Sequence, residues 1–427
     1  MTETADTAYI AYGKGRIPLR MDPARARWHL ITPRSEPPLE TPEDEFHLAA
    51  SKPAGSPPLS KLAGPGDQIV IVTSDGTRPV PNKTLIPWIV KELGAPPENI
   101  TILLGTGSHR PNTPEEIAAM MGGDVTGRLR IVNHNAFDPN QNCAVGKAHP
   151  IGDVALAREY VDANKRIVVG FIEPHFFAGY SGGAKGIVPG IASIDTILNL
   201  HSFGIIGHPN SSYGIIDNNP TQEAIRAAVA LRPPDFMVNV TLNSEKQITG
   251  FYLGHYIEAH LKGCEHVKTA AMAAVPHRFP VVITSNSGFP LDQNLYQSVK
   301  ALSVAARIVE NGGRIFLVSE CSDGLPAHGN FGQYFNKGLK SAELLEWIRK
   351  QPKPGLDQWQ AQTLANVLLK ANVSVYSHLS PEQAERCAMT PVSDLQKAVD
   401  KHLDGYNGDV CAAVLPDGPL TIPYLAA

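Results

Sequence analysis

The sequence predicts an α/β protein of two α/β domains, each built on a mainly parallel sheet, with an active-site cleft between the domains. Three observations lead there. At 427 residues the chain exceeds one ordinary core and suits two or three. From Asp67 onward, short apolar runs that end in Gly/Pro/His-rich loops alternate with segments of helical period, the pattern of repeated β-α units. The residues of unusual chemistry sit in the loops after those runs, where ligands of parallel sheets bind.

Taken in order, the start MTETADTAYIAYGKGR has no basic stretch followed by an apolar one, so an unsecreted, cytoplasmic protein is expected. Residues 33–66 are rich in proline and acidic side chains, which disfavours continuous helix or central strand and predicts an irregular approach to the first core. Strands are predicted at QIVIVT (68–73), NITILL (99–104), RLRIVN (128–133) and KRIVVGFI (165–172). Thr113-Pro114-Glu115-Glu116 carries a helix cap, a proline suited to the first helical position and a reciprocal glutamate, and Asn219-Pro220-Thr221-Gln222 repeats that logic. A boundary is expected near residue 275, giving domains 1–275 and 276–427. In the second, FPVVITSNSG reads as strand and loop, Leu295 to Glu310 as helix, Asn311-Gly312-Gly313 as its terminator and RIFLVSE as strand. DQWQAQTLANVLLK and SDLQKAVDKHL then read as helices, VSVYS and VCAAVLP as strands.

A formal charge of -4 gives no global reason to bind nucleic acid. The five cysteines, Cys143, Cys264, Cys321, Cys387 and Cys411, are far apart and never spaced C-x-x-C, so neither a disulfide framework nor a thiolate zinc site is indicated. No segment approaches the roughly 20 apolar residues that cross a bilayer, and no membrane partner is expected. Oligomeric state is left open.

Four loops can carry chemistry. Ser74-Asp75-Gly76-Thr77-Arg78-Pro79 offers either a local Asp75–Arg78 ion pair or a guanidinium for a carboxylate or phosphate. Gly105-Thr106-Gly107-Ser108-His109-Arg110-Pro111 permits close backbone approach before a helix start; His109 then faces a ligand or is one solvated histidine among 15. The third runs Glu173-Pro174-His175-Phe176-Phe177-Ala178-Gly179-Tyr180-Ser181-Gly182-Gly183-Ala184-Lys185-Gly186. It departs from a nucleoside-triphosphate loop, because Ala184 and Gly186 flank the lysine where glycine and Ser/Thr are required. Lys185 among small residues suits covalent attachment, or it is a solvated lysine on a glycine-rich turn. Downstream, His201 closes the helical segment SIDTILNLHS and either complements the helix dipole or ligates a metal. The fourth loop leads into a helix start that projects Tyr296, Gln297 and Lys300 from one side, as a binding face or a polar surface.

The stretches SDGTRP, GTGSHRP, EPHFFAGYSGGAKGIVPG with His201 downstream, and GFPLDQNLYQSVK, in that order, resemble the nickel-dependent lactate racemase family, over about residues 67–320. The resemblance implies a racemase or epimerase of a 2-hydroxy acid, lactate or a larger one, acting by transient hydride transfer to a nickel-pincer nucleotide. That cofactor is a pyridinium mononucleotide with two sulfur-bearing arms. It implies covalent attachment at Lys185, nickel ligation by His201, His109 and His175 as the acid/base pair, Asp75 and Arg78 in the cofactor-binding loop, and Arg78, Tyr296, Gln297 and Lys300 at the substrate. Enzymes that synthesise the cofactor are implied as partners. Leu200 departs from the pattern, standing where many relatives carry a polar residue, often asparagine, which affects the hydrogen bonding around His201. Two other readings compete: a zinc-dependent hydrolase built from scattered histidines, without any nucleotide, and a non-catalytic anion- or cofactor-binding protein.

Overall fold

The computed structural model describes residues 6–34, 36–326, 329–406 and 409–426. It resolves into two compact units, Ser35–Ala270 and a second formed by Met1–Arg34 with Ala271–Ala427.

The Ser35–Ala270 unit is built on a six-stranded sheet in the order Ile248–Gly254, Phe236–Leu242, Lys165–Phe171, Ile69–Ser74, Ile100–Gly105, Arg130–Asn133. All neighbours are parallel except the first pair. The run IVIVTS is buried over its first five residues, as a central parallel strand requires, since helices cover both faces. Alternate residues feed opposite cores. Val70, Val72 and Val168 pack with Ala224, Ile225 and Ala228 of the helix Pro220–Val229, whereas Ile69, Ile71, Ile167 and Val169 pack with Leu85, Ile86 and Ile89 of the helix Asn82–Leu93. The chain runs from the 69–74 strand outward through 100–105 and 130–133, then returns to place Lys165–Phe171 on the other side of 69–74. The order reverses between these two strands, and open parallel sheets bind ligands beyond the carboxyl ends of strands at such a point.

The second unit carries six strands, every pairing parallel, in the order Thr390–Val392, Asn372–Tyr376, Val309–Val318, Phe279–Ser285, Cys411–Leu415, Arg27–Leu30. Its edge strand comes from the beginning of the chain, residues that the sequence reading assigns to the first domain. The physical reason is non-local. Arg27–Leu30 pairs with Cys411–Leu415, and the hairpin Thr7–Tyr12/Gly15–Arg20 buries Ile10 and Leu19 in the core of Val281, Ile283 and Val414. Each such buried aliphatic contributes roughly 1.5–3 kcal/mol.

Two local expectations also change. Within the proline-rich approach, Pro42–Ser51 is a helix: Pro42 occupies its first turn and Glu43, Asp44 and Glu45 complement its dipole. The helix predicted to run to Glu310 ends at Ala305, and Asn311-Gly312-Gly313 lies inside the strand Val309–Val318 rather than terminating a helix. The capping box at Thr113/Glu116 and the Asn219 cap form as predicted. Among the described residues no helix is long and apolar enough to cross a membrane.

Candidate active site

The carboxyl ends of three adjacent strands, Lys165–Phe171, Ile69–Ser74 and Ile100–Gly105, supply the first three predicted loops. Hydrogen bonds tie these loops together. The Gly76 N–H donates to Asn112 Oδ1 (3.0 Å), and the Gly107 N–H donates to the Gly190 carbonyl (2.9 Å). Glycine is required at Gly190, where a Cβ would stand 2.1 Å from the Gly186 carbonyl oxygen.

Asp75 is buried at 4% exposure, and both its oxygens are engaged. Oδ2 lies 2.8 Å from Nδ1 of His109, and Oδ1 accepts from the Thr77 hydroxyl at 2.6 Å. Burial alone would raise its pKa. The hydrogen bond and charge of His109, the Thr77 hydroxyl and the Arg78 charge outweigh that, and hold the carboxyl below its ordinary value. An ionised carboxylate only accepts, so His109 carries a proton on Nδ1 and, when neutral, a lone pair on Nε2. Its side chain is 42% exposed. Of the two readings of this loop, the local Asp75–Arg78 ion pair does not form. Arg78 is half-buried and, among the described residues, its guanidinium has no ion-pair partner.

His175 is held differently. It sits in the short hairpin Pro174–His175/Gly179–Tyr180, and its Nδ1 accepts from the backbone N–H groups of Phe177 and Ala178, both at 3.2 Å. The lone pair is therefore on Nδ1, and the neutral ring carries its proton on Nε2. His109 and His175 rest in opposite tautomers.

Lys185 lies in the single helical turn Gly183–Gly186. The Gly183 N–H donates to Asn239 Oδ1 (2.7 Å), and a Cβ at Gly183, whose φ is +55°, would meet the His260 ring at 2.8 Å. Burial, with the Arg78 charge second, presses the Lys185 ammonium down to about 7 against the opposing charge of Glu173. His201 caps the helix Ile194–Leu200, and its Nδ1–H donates to the Ile197 carbonyl at 2.7 Å, which puts the ring lone pair on Nε2. Burial, reinforced by Lys185 and opposed by the Ile197 bond, lowers its pKa to about 4. The imidazole is thus a neutral nitrogen donor at physiological pH. Leu200, the departure noted in the sequence, is 1% exposed and packs in the core, and a main-chain carbonyl orients the neighbouring ring instead.

In the other unit, Tyr296, Gln297 and Lys300 are all half-buried on the helix Leu295–Ala305. Lys300 Nζ donates to Gln297 Oε1 (2.8 Å), and Tyr296 Oη accepts from Trp359 Nε1 (3.1 Å). Asn294 caps this helix by accepting from the Gln297 N–H.

Sequence reasoning missed the supports behind the glycine loop. Asn239 is fully buried, and its signal was a lone amide in the apolar strand FMVNVTL. His260, whose Nε2 lies 2.8 Å from the Ser181 carbonyl, gave no local signal. Asn219 was read as a cap, yet its amide also donates to the Phe177 carbonyl at 2.8 Å, bracing the His175 turn.

Comparison with known proteins places the chain in a family. The lactate racemase N-terminal domain family matches residues 12–214 and the lactate racemase C-terminal domain family residues 276–422. The lactate racemase of Thermoanaerobacterium thermosaccharolyticum is 34% identical over 416 residues, 96% of this chain and 97% of that protein. That of Lactiplantibacillus plantarum is 33% identical over 418 residues, again 96% and 97%. The apoprotein structure of the Thermoanaerobacterium enzyme superposes with a TM-score of 0.89 at 33% identity, covering 98% of this chain and 99% of that one. A Thermotoga maritima protein at 16% identity and TM-score 0.69 shares the fold.

Proposed function

Because the chain belongs to the lactate racemase family of isomerases, we propose that it inverts the hydroxyl-bearing carbon of lactate or a related 2-hydroxy acid. In this reading Lys185 and His201 hold a nickel-pincer nucleotide, and His109 and His175 move the hydroxyl proton. The supporting observation is the pair of opposite histidine tautomers on two loops that rise from either side of the 69–74 strand.

The residues fit such a cofactor. An amine whose pKa lies near 7 is available as a nucleophile toward a carbonyl or thiocarbonyl carbon, and a neutral imidazole with its lone pair on Nε2 suits Ni(II). When bound, the group supplies a hydride acceptor for the carbinol carbon.

Everything else falls to the protein. Removing a proton from the carbon of a hydroxy carboxylate is hard, because the resulting carbanion sits beside an ionised carboxylate; taking the proton from oxygen avoids that anion. Enantiomers present the hydroxyl on opposite sides, so two imidazoles are needed. His109 Nε2 accepts a hydroxyl proton, and Asp75 stabilises the imidazolium that forms. Nε2 of His175 meets the carbonyl oxygen of the keto acid from the other side, and a proton passes to that oxygen from the imidazolium form of the ring, which returns to the neutral imidazole. Arg78 grips the substrate carboxylate in two-point geometry, with Tyr296, Gln297 and Lys300 as further substrate-handling residues. Asp75 acts as a positioning residue for His109.

Neither competing reading accounts for the Asp75–His109 pair together with the reversed His175. The test is direct: coexpress the chain with cofactor-synthesis enzymes, map added mass by peptide, and assay racemisation of lactate and larger 2-hydroxy acids. Added mass on the Lys185 peptide with inversion of one of these acids is expected. Inversion by a protein whose Lys185 is unmodified would overturn the cofactor assignment; a loaded protein that inverts none of the acids would overturn the substrate class.

A further inference from the structure

A second group of ligating side chains lies on the unit that carries the first and last strands. His29, His277 and Cys411 each present one ligand atom, and these atoms all lie within 4.8 Å of one another. Strand geometry brings them together. Arg27–Leu30 and Cys411–Leu415 are parallel neighbours with His29 opposite Ala413 and Arg27 opposite Cys411, so His29 and Cys411 share a face two positions apart. His277 stands just before the strand Phe279–Ser285, which flanks Cys411–Leu415 on its other side. The Phe279 ring packs against both imidazoles, at 4.9 Å from His29 and 4.8 Å from His277, and restricts how they turn. Nδ1 of His277 donates to the Arg278 carbonyl at 2.8 Å, which leaves its lone pair on Nε2. Cys411 is a free, half-buried thiol.

We propose that His29, His277 and Cys411 bind a zinc ion that clips the edge strand Arg27–Leu30 to the strands on either side of the cluster. Two imidazoles and a thiolate are a borderline-to-soft donor set that suits zinc and disfavours the oxygen-seeking magnesium and calcium. Metal bonds of about 2.0–2.3 Å require donors roughly 3.5 Å apart, so closure needs a shift of about 1 Å, within reach of the exposed His277. Water completes the fourth position on the His277 side. As the zinc–sulfur bond forms, Cys411 releases its thiol proton to solvent, and no electron changes hands. Arg27 is bridged to Asp409 at 3.2 Å. The consequence is stabilising linkage: an edge strand with one sheet partner gains a second attachment, stronger as free zinc rises.

The full chain, stripped with a chelator and kept reduced, is titrated with zinc while iodoacetamide labels its thiols. Labelling is read on the C-terminal tryptic peptide that contains Cys411, with half-buried Cys143 as the internal reference. Zinc is expected to slow Cys411 labelling at least about tenfold and leave Cys143 unchanged, since coordination ties up the thiolate. H277A and H29A, checked for native circular dichroism, should each abolish that protection, and cobalt should give a thiolate charge-transfer band that zinc bleaches. Metal taken up at His201 does not move this readout. Unchanged Cys411 labelling, or protection that survives in both histidine variants, would overturn the site.

Discussion

His109 and His175 stand on loops that rise from opposite sides of the same central strand, and the protein holds them with opposite chemistry. The loop at 105–111 sets its imidazole against the buried, ionised Asp75, which fixes the ring's proton on Nδ1. In the loop at 173–190 and the helix after it, main-chain groups meet the ring nitrogens: two N–H groups donate to Nδ1 of His175, and one carbonyl accepts from Nδ1 of His201. Burial there, opposed at Lys185 by the charge of Glu173, pushes both Lys185 and His201 toward their neutral forms. A carboxylate behind His109 leaves the ring's lone pair on Nε2, whereas the main-chain partners leave the proton on Nε2 of His175 and the lone pair on Nε2 of His201. The two loops are thereby tuned apart with few charged residues.

The largest effects should come from removing either ring. H109A and H175A are each expected to lower racemisation about 10²–10⁴-fold with cofactor content unchanged, measured by chiral chromatography from both enantiomers. If one variant keeps full turnover, that ring leaves the proton-transfer pair and the comparison fails.

The neutral character of the second region is tested through Lys185. With its pKa near 7 against an ordinary 10.5, its free-amine fraction at pH 7 should exceed that of an unshifted lysine roughly a thousandfold. Acylation of the cofactor-free chain by a small amine-reactive ester, mapped by peptide, should therefore rise through pH 7. A midpoint near that of surface lysines would remove the contrast. The sign for stability follows. The unfolded chain holds this proton up to about 10.5 and the folded chain only to about 7. The group's stabilising contribution is therefore present in full above the unfolded value and lost as pH falls through the folded one.

Smaller changes sharpen the first region. D75N keeps an acceptor facing His109 but removes the charge, and should cost roughly tenfold to a hundredfold in turnover with little change in KM. T77V removes only the hydroxyl on Asp75 Oδ1, worth about 0.5–1.5 kcal/mol, and should lower turnover a few-fold. A T77V loss as large as that of H109A would show that the loop's shape, rather than the carboxylate's charge, supports the ring.

Features that rest on near neighbours in the chain were legible in the sequence. The apolar runs became strands of the first sheet, and Thr113/Glu116 and Asn219 cap the helices they announce. The glycine loop was legible as a loop that follows a strand, because glycines and small residues crowd there. Contacts across the chain were not. Arg27–Leu30 finds its partner at Cys411–Leu415, and no period or motif in a short strand records that pairing. Asp75 was visible only beside Arg78, three residues away, whereas its partner His109 arrives on the neighbouring strand's loop. Asn311-Gly312-Gly313 carries the composition of a helix stop, yet pairing with the 279–285 strand holds it extended. Likewise Cys411 lacks a C-x-x-C partner, and folding supplies two histidines in its place.

The central claim is that His109 and His175 work on the hydroxyl oxygen and leave the carbon-bound hydrogen to the cofactor. It is tested most directly by racemising a 2-hydroxy acid that carries deuterium on the carbinol carbon, in ordinary water, with the loaded enzyme. Product of inverted configuration that retains its deuterium is the result this account predicts. Deuterium lost to solvent at the rate of inversion would put a histidine on the carbon and contradict it.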